Sequence, residues 1–212
     1  MTFHEFENEI KDTLAKYIRD KVEIERYTEL MLGLYEEGAE VVSIIRKSIP
    51  GNFHETEIDL PHLEEELGDI LWYISHIDMQ LQKDNLQTLI CGKQSEYKKI
   101  EMSEYQKEMK LLYQGTPGLP ENPLERGRFL AMGLIQEIGR LATIFGENLM
   151  DYEVLNTNYV EQKLRGGLWY LTAIGDNYGL DLETIAMKNI QKTKARYNKN
   201  GIAQISKTEE GR

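Results

Sequence analysis

ERYTELMLGLYEEGAEVV, residues 25–42, returns one hundred positions later as ERGRFLAMGLIQEIGRLA, residues 125–142. Glu25, Arg26, Leu30, Gly33, Leu34 and Glu37 meet Glu125, Arg126, Leu130, Gly133, Leu134 and Glu137. Further on, LGDILWYI (67–74) meets LRGGLWYL (164–171), and NLQTL (85–89) meets DLETI (181–185). Both members of each pair carry apolar residues at helical spacing. Amphipathicity alone does not demand the repeated Leu-Trp-Tyr or Glu-Arg, so three blocks in one order point to two copies of a helical unit. Two packed helical hairpins make a four-helix bundle. The expected fold is therefore all-α, with two repeats forming a pseudo-dimer inside one chain, which a single-copy relative would build as a homodimer.

Working outward, the periodicity predicts helices over 4–20, 22–48, Pro61 to 82, 85–90, 124–147, 156–178 and 181–198. Residues 92–114 form a lysine-rich insert, readable as a helix or as an arm. GTPGLPENP (115–123) holds three of the five prolines and reads as a linker. The expected organisation is a first repeat over 1–114, the linker 115–123, a second repeat over 124–200 and a tail over 201–212.

The 212 residues carry a net charge of −11, with 41% hydrophobic and 29% charged side chains. That composition is ordinary for a globular chain, and its sign opposes binding to polymeric phosphates or anionic membranes. Apolar runs such as Ile70 to Ile74 are short beside the ~20 residues that span a bilayer. Cys91 is the only cysteine, so no intrachain disulfide or Cys-based zinc site can form. A cytoplasmic protein is expected, without a nucleic-acid or membrane partner.

Glu36, Glu37 and Glu40 stand within one and a half helical turns, and Glu66 and Asp69 repeat the three-apart spacing on another helix. Bunched like charges destabilise a helix unless something neutralises them. Both clusters adjoin apolar sequence, Val41 and Val42 in one case and Ile70, Leu71 and Trp72 in the other. Two such helices facing a bundle interior make an oxygen-only cation site suited to Mg²⁺, and Mn²⁺ would also fit. A di-iron bundle needs Glu-x-x-His, and none of His4, His54, His62 and His76 stands three after a glutamate.

The second copy lacks this set. Glu36 meets Gln136, Glu40 meets Arg140, Glu66 meets Lys163 and Asp69 meets Gly166, while Glu37 alone meets a glutamate. Loss as a set is what a site acting as a unit would show, so no metal is expected in the second copy. That copy instead ends in a basic stripe. Lys188, Lys192 and Arg196 fall at i, i+4 and i+8, with Asn189 beside them, a face fit to grip a polyphosphate opposite the carboxylates.

EEGAE (36–40), followed after 25 residues by ELGD (66–69) and then ILWY, resembles the EExxE…ExxD signature of MazG-like all-α nucleoside triphosphate pyrophosphohydrolases. His54-Glu55 and the ending NIQKTKARY are also similar to that family, and the resemblance covers most of 25–89 and 125–197. It implies a helical bundle, Mg²⁺ dependence and cleavage of (d)NTPs to monophosphate and pyrophosphate. It further implies Glu37, Glu40, Glu66 and Asp69 as metal ligands, with Glu36 holding a second ion or orienting the attacking water. Tyr73 would line the substrate site, and Asn189, Lys192 and Arg196 would contact phosphates. The departure is the tandem copy, which divides metal motif and basic ending between the halves. The competing reading is a non-catalytic bundle that binds a nucleotide or a partner. The sequence leaves the base, the attacked phosphorus and any further homo-oligomer open.

Overall fold

The computed structural model describes residues 1–48, 57–81, 90, 100–151, 155–196 and 202. Its helices are α1 (Phe3–Ile10), α2 (Lys16–Arg19), α3 (Glu23–Lys47), α4 (Leu60–Gln80), α5 (Met102–Gln114), α6 (Pro123–Asp151), α7 (Thr157–Asn177) and α8 (Leu182–Arg196). Among the described residues the only β-type pairing is an isolated bridge between Thr2 and Glu101. The regular structure of the described residues is all-helical.

Four long helices close a ring. α3 packs on α4 and α6, α6 on α7, and α7 on α4. Leu30, Leu34, Leu67, Leu71, Leu130, Leu134, Leu164 and Leu168 are completely buried in the shared core. Burying each such side chain contributes roughly 1.5–3 kcal/mol, more than the ~1 kcal/mol that separates good from poor helix formers. Where α3 crosses α6, a Cβ on Gly38 would lie 2.6 Å from Ile138 Cδ1, so the lack of a side chain sets the approach. Pro123–Glu147 of α6 is apolar and long enough to cross a membrane, but half of it is buried, as in a core helix of a globular bundle.

Several contacts of the first hairpin recur in the second. Asp59 caps α4 by accepting from the His62 N–H at 3.1 Å, and Asn156 caps α7 by accepting from the Tyr159 N–H at 3.2 Å. Arg26 donates to Gln80 and to the Lys21 carbonyl, while Arg126 donates to Asn177 and to the Glu121 carbonyl. A Cβ on Gly33 would stand 2.2 Å from the Tyr73 ring, and one on Gly133 would stand 2.1 Å from the Tyr170 ring. Trp72–Tyr73 and Trp169–Tyr170 both meet edge to face, at 4.9 and 4.7 Å.

One expectation needs adjustment, and one open alternative is decided. The helix expected over 4–20 is two helices, because the chain turns at Thr13. The Thr13 hydroxyl donates to the Ile10 carbonyl and accepts from the Trp72 indole at 2.8 Å, which ends α1 and leaves Leu14 and Ala15 facing the core. Residues 102–114 of the insert are a docked helix, not an arm. Met102, Tyr105 and Tyr113 bury one stripe of α5, and its Gln106 and Lys110 reach Leu180, Leu182 and Asp176. Of the 85–90 helix only Ile90 lies within the described residues, and residues 92–99 lie outside them.

Candidate functional site

α3 is continuous through Glu37 and Glu40, three apart, so both carboxylates leave the helix on the face turned to α4. α4 answers with His62, Glu66 and Asp69 at i, i+4 and i+7, one stripe of its own surface. Oxygens of Glu37, Glu66 and Asp69 lie within 4.8 Å of one another, and so do ligand atoms of Glu40, His62 and Glu66. Glu66 belongs to both groups and is buried.

Such crowding has an electrostatic cost. Burial, a hydrogen bond to Glu66 and the charges of Asp69, Glu66 and Glu40 push Glu37 up to about 9. At neutral pH Glu37 therefore keeps its proton and donates it to Glu66. Burial raises Glu66 too, helped by the Glu40 charge, although the Glu37 bond pulls it back. His62 Nε2 stands 2.8 Å from Glu66 and 3.6 Å from Glu40. Buried carboxylates that can coexist only by sharing protons are a donor set for a hard dication, which would replace the proton.

α8 closes the other side. A Cβ on Gly68 would lie 3.2 Å from Asn189 Cβ and 3.5 Å from the Ile185 carbonyl oxygen, so a glycine is what lets α8 seat this close to α4. Both oxygens of Asp69 are engaged, Oδ1 by the Asn189 amide at 2.8 Å and Oδ2 by Lys192. Lys192 also reaches Glu65 at 2.6 Å, and Lys188 pairs with Glu64. Burial raises Asp69, and the Lys192 bond and charge oppose it. Lys192 holds Glu65 below the usual carboxylate range. Burial works to lower Lys192 itself, but its bonds to Asp69 and Glu65 outweigh that and keep it above the usual lysine value. A cavity of about 360 Å³ lies between α4 and α8, lined by Pro61, Glu64, Glu65, Lys188, Asn189 and Lys192 among others.

A carboxylate cluster of this spacing on the first hairpin, under a cationic helix, is what the comparisons with known proteins bear on. Residues 25–100 match the model of the MazG nucleotide pyrophosphohydrolase domain. Over that segment the chain is similar to the MazG family. No curated protein and no solved structure matches the chain.

The MazG segment contains every carboxylate of the cluster and none of the α8 cations. Glu37, Glu66 and Asp69 share one group and Glu40 joins Glu66 in the other, whereas Glu36 is exposed and stands in neither. Asn189 and Lys192 reach Asp69. Lys188 sits at the rim, and Arg196 is exposed one turn beyond Lys192. Tyr73 is half-buried with its ring over Gly33, and Trp72 is buried against Thr13. His54 and Glu55 lie outside the described residues.

At the matching place in the second hairpin, Glu137 is buried between Lys163, at 3.1 Å, and Arg140, at 2.8 Å. Two cations replace the partners that Glu37 has in the MazG segment, so charge is balanced there by the protein itself. His62 was missed as a site residue. Its signal was the i, i+4 spacing to Glu66, which puts imidazole and carboxylate on one face.

Proposed function

We propose that the chain is a Mg²⁺-dependent hydrolase that cleaves nucleoside or deoxynucleoside triphosphates to the monophosphate and pyrophosphate. The observation that carries this reading is the meeting of Glu37, Glu66 and Asp69 within 4.8 Å beside Asn189 and Lys192, in a segment similar to the MazG family. Glu37, Glu40, Glu66 and Asp69 would hold the ion. When bound, a divalent cation neutralises phosphoryl oxygens and makes water acidic enough to attack at neutral pH.

The chain's own groups divide the remaining work. Asn189 fixes the orientation of Asp69 through its amide, leaving that carboxylate little freedom to turn. Lys188 and Lys192 rest on Glu64, Glu65 and Asp69 and can exchange a carboxylate for a phosphate oxygen with little movement. Placed there, they stabilise the charge that develops on departing pyrophosphate. Arg196 extends the same face by one turn. Pro61 and Ile185 give the cavity an apolar side.

The repeated contacts of the two hairpins support a tandem duplication in which one copy keeps the chemistry and the other keeps the frame. Glu137, Arg140 and Lys163 then mark a retired site held together by ion pairs.

The test is pyrophosphate release from a panel of canonical and modified (d)NTPs, with Mg²⁺, Mn²⁺ and EDTA in parallel. Release that EDTA abolishes is expected. Glu37→Gln and Asp69→Asn should each lower it by about 10²-fold or more, the usual scale for losing a group that stabilises the transition state. Folded protein that releases nothing from any nucleotide would move the reading to a nucleotide-binding bundle without catalysis.

A further inference from the structure

Resting on the hydrolase reading above, we infer that Gln106 on α5 is a positioning residue for that reaction: it fixes where α8 begins, and through α8 where Asn189 and Lys192 meet Asp69. α5 follows the 25–100 segment and packs on α7 and α8. The side-chain amide of Gln106 is used twice. Its Nε2 donates to the Leu180 carbonyl and its Oε1 accepts from the Leu182 N–H, both at 2.8 Å. The α7 side of this turn is closed by the chain itself. Gly179 takes a φ of +73°, and the Leu180 N–H returns to the Gly175 carbonyl at 2.8 Å. On the α8 side, Asp181 accepts from the Thr184 N–H at 2.8 Å. That leaves the Leu182 N–H, one of the four that a helix cannot bond within itself, to Gln106.

A hydrogen-bonded helix is stiff along its axis, so a shift at Leu182 reaches Asn189, about two turns on, and Lys192, about three turns on, undiminished. The seat at the other end leaves little play. A Cβ on Gly68 would already lie 3.2 Å from Asn189 Cβ, and both oxygens of Asp69 are taken by Asn189 and Lys192. Two other contacts hold α8, and both end on side chains. The Met1 ammonium pairs with Glu183 at 2.7 Å, and Lys194 pairs with Glu9. The Lys194–Glu9 pair is half-exposed, and ion pairs of that kind contribute little. Gln106 binds backbone on both sides of the turn, where no rotatable side chain can absorb slack. α5 is itself anchored by Lys110 and Tyr113 on Asp176 of α7, so Gln106 transmits the position of α7 to the start of α8.

The experiment compares the full chain with Gln106→Leu, which loses both bonds, and with Lys194→Ala, which removes the contact of α8 with Glu9. Amide hydrogen exchange over 182–192 reads the seating of α8, and pyrophosphate release with Mg²⁺ reads turnover. Gln106→Leu should speed exchange over α8 while α3 and α6 keep wild-type protection. It should lower kcat about 10-fold and leave KM within about 2-fold, because the cations act on charge that develops as pyrophosphate departs. Gln106→Glu keeps the acceptor for the Leu182 N–H and should show the same pattern to a smaller degree, which also serves if Gln106→Leu does not fold. Lys194→Ala should leave both readouts at the wild-type level. Unchanged exchange over α8, a raised KM at constant kcat, or Lys194→Ala matching Gln106→Leu overturns the positioning role. A wild-type chain that releases pyrophosphate from no nucleotide overturns the hydrolase reading instead, since exchange reads the seating without turnover.

Discussion

Glu37 is where the chain's electrostatics are most exposed to test. Its folded pKa of about 9 lies above the ordinary 4.5, so the fold keeps a proton that the unfolded chain gives up. The contribution to stability is fully present below about 4.5 and is lost as pH rises through about 9. In EDTA, the melting temperature should therefore fall between pH 5 and pH 8.5. At roughly 2–4 °C per kcal/mol for a chain this size, the slope is readable by scanning calorimetry. Glu37→Gln should flatten it, because a neutral amide has no proton to hold. A wild-type melting temperature that rose over this window would remove the shared proton from the account. At this scale the sequence revealed the four carboxylates because helical spacing puts them on two faces. It did not reveal His62, whose partners lie one turn along its own helix and across on another.

At the scale of elements, Gly68 sets the distance between the helix that carries the carboxylates and the helix that carries the cations. A methyl group there would crowd Asn189 Cβ at 3.2 Å, while standing at ordinary contact distance from the α8 backbone. Alanine also raises helix propensity by about 1 kcal/mol, so Gly68→Ala should leave the denaturation midpoint unchanged or higher. Activity should go the other way, falling about 10- to 10²-fold, since displacements of an ångström or less at a reacting centre have such effects. Activity and stability falling together would mean that the glycine serves packing alone. The long helices α3, α4, α6 and α7 were legible because each has to bury one stripe, which leaves a 3.6-residue period in the sequence. The break between α1 and α2 was not, because Thr13 ends α1 for a tryptophan 59 residues away. α5 does carry a stripe, Met102, Tyr105 and Tyr113, but its lysines dominate a reading by composition.

For the whole molecule, the ring of α3, α4, α7 and α6 closes within one chain around a single continuous core. Leu30, Leu34, Leu67, Leu71, Leu130, Leu134, Leu164 and Leu168 are buried without a second chain. Small-angle scattering and sedimentation on dilute protein should find a folded monomer that still releases pyrophosphate. Loss of helicity or activity on dilution would show that the core is completed by a partner. The helical class was legible here because the two similar stretches each carry a stripe that must be buried. The seating of α8 on α4 was legible only in part: its basic stripe was expected opposite the carboxylates, but nothing local to NIQKTKARY names Asp69 as its partner.

That seating has a consequence for when the protein becomes active. Asn189 and Asp69 are 120 residues apart, Lys192 and Asp69 are 123, and Lys188 and Glu64 are 124. Contacts at that separation form late, after the long loop between them has been closed by everything that lies inside it. During synthesis the carboxylates leave the ribosome more than a hundred residues before the cations do. A nascent chain that stops short of α8 therefore has the acids without the grip, and the proposed turnover would begin only when the α8 cations dock on α4.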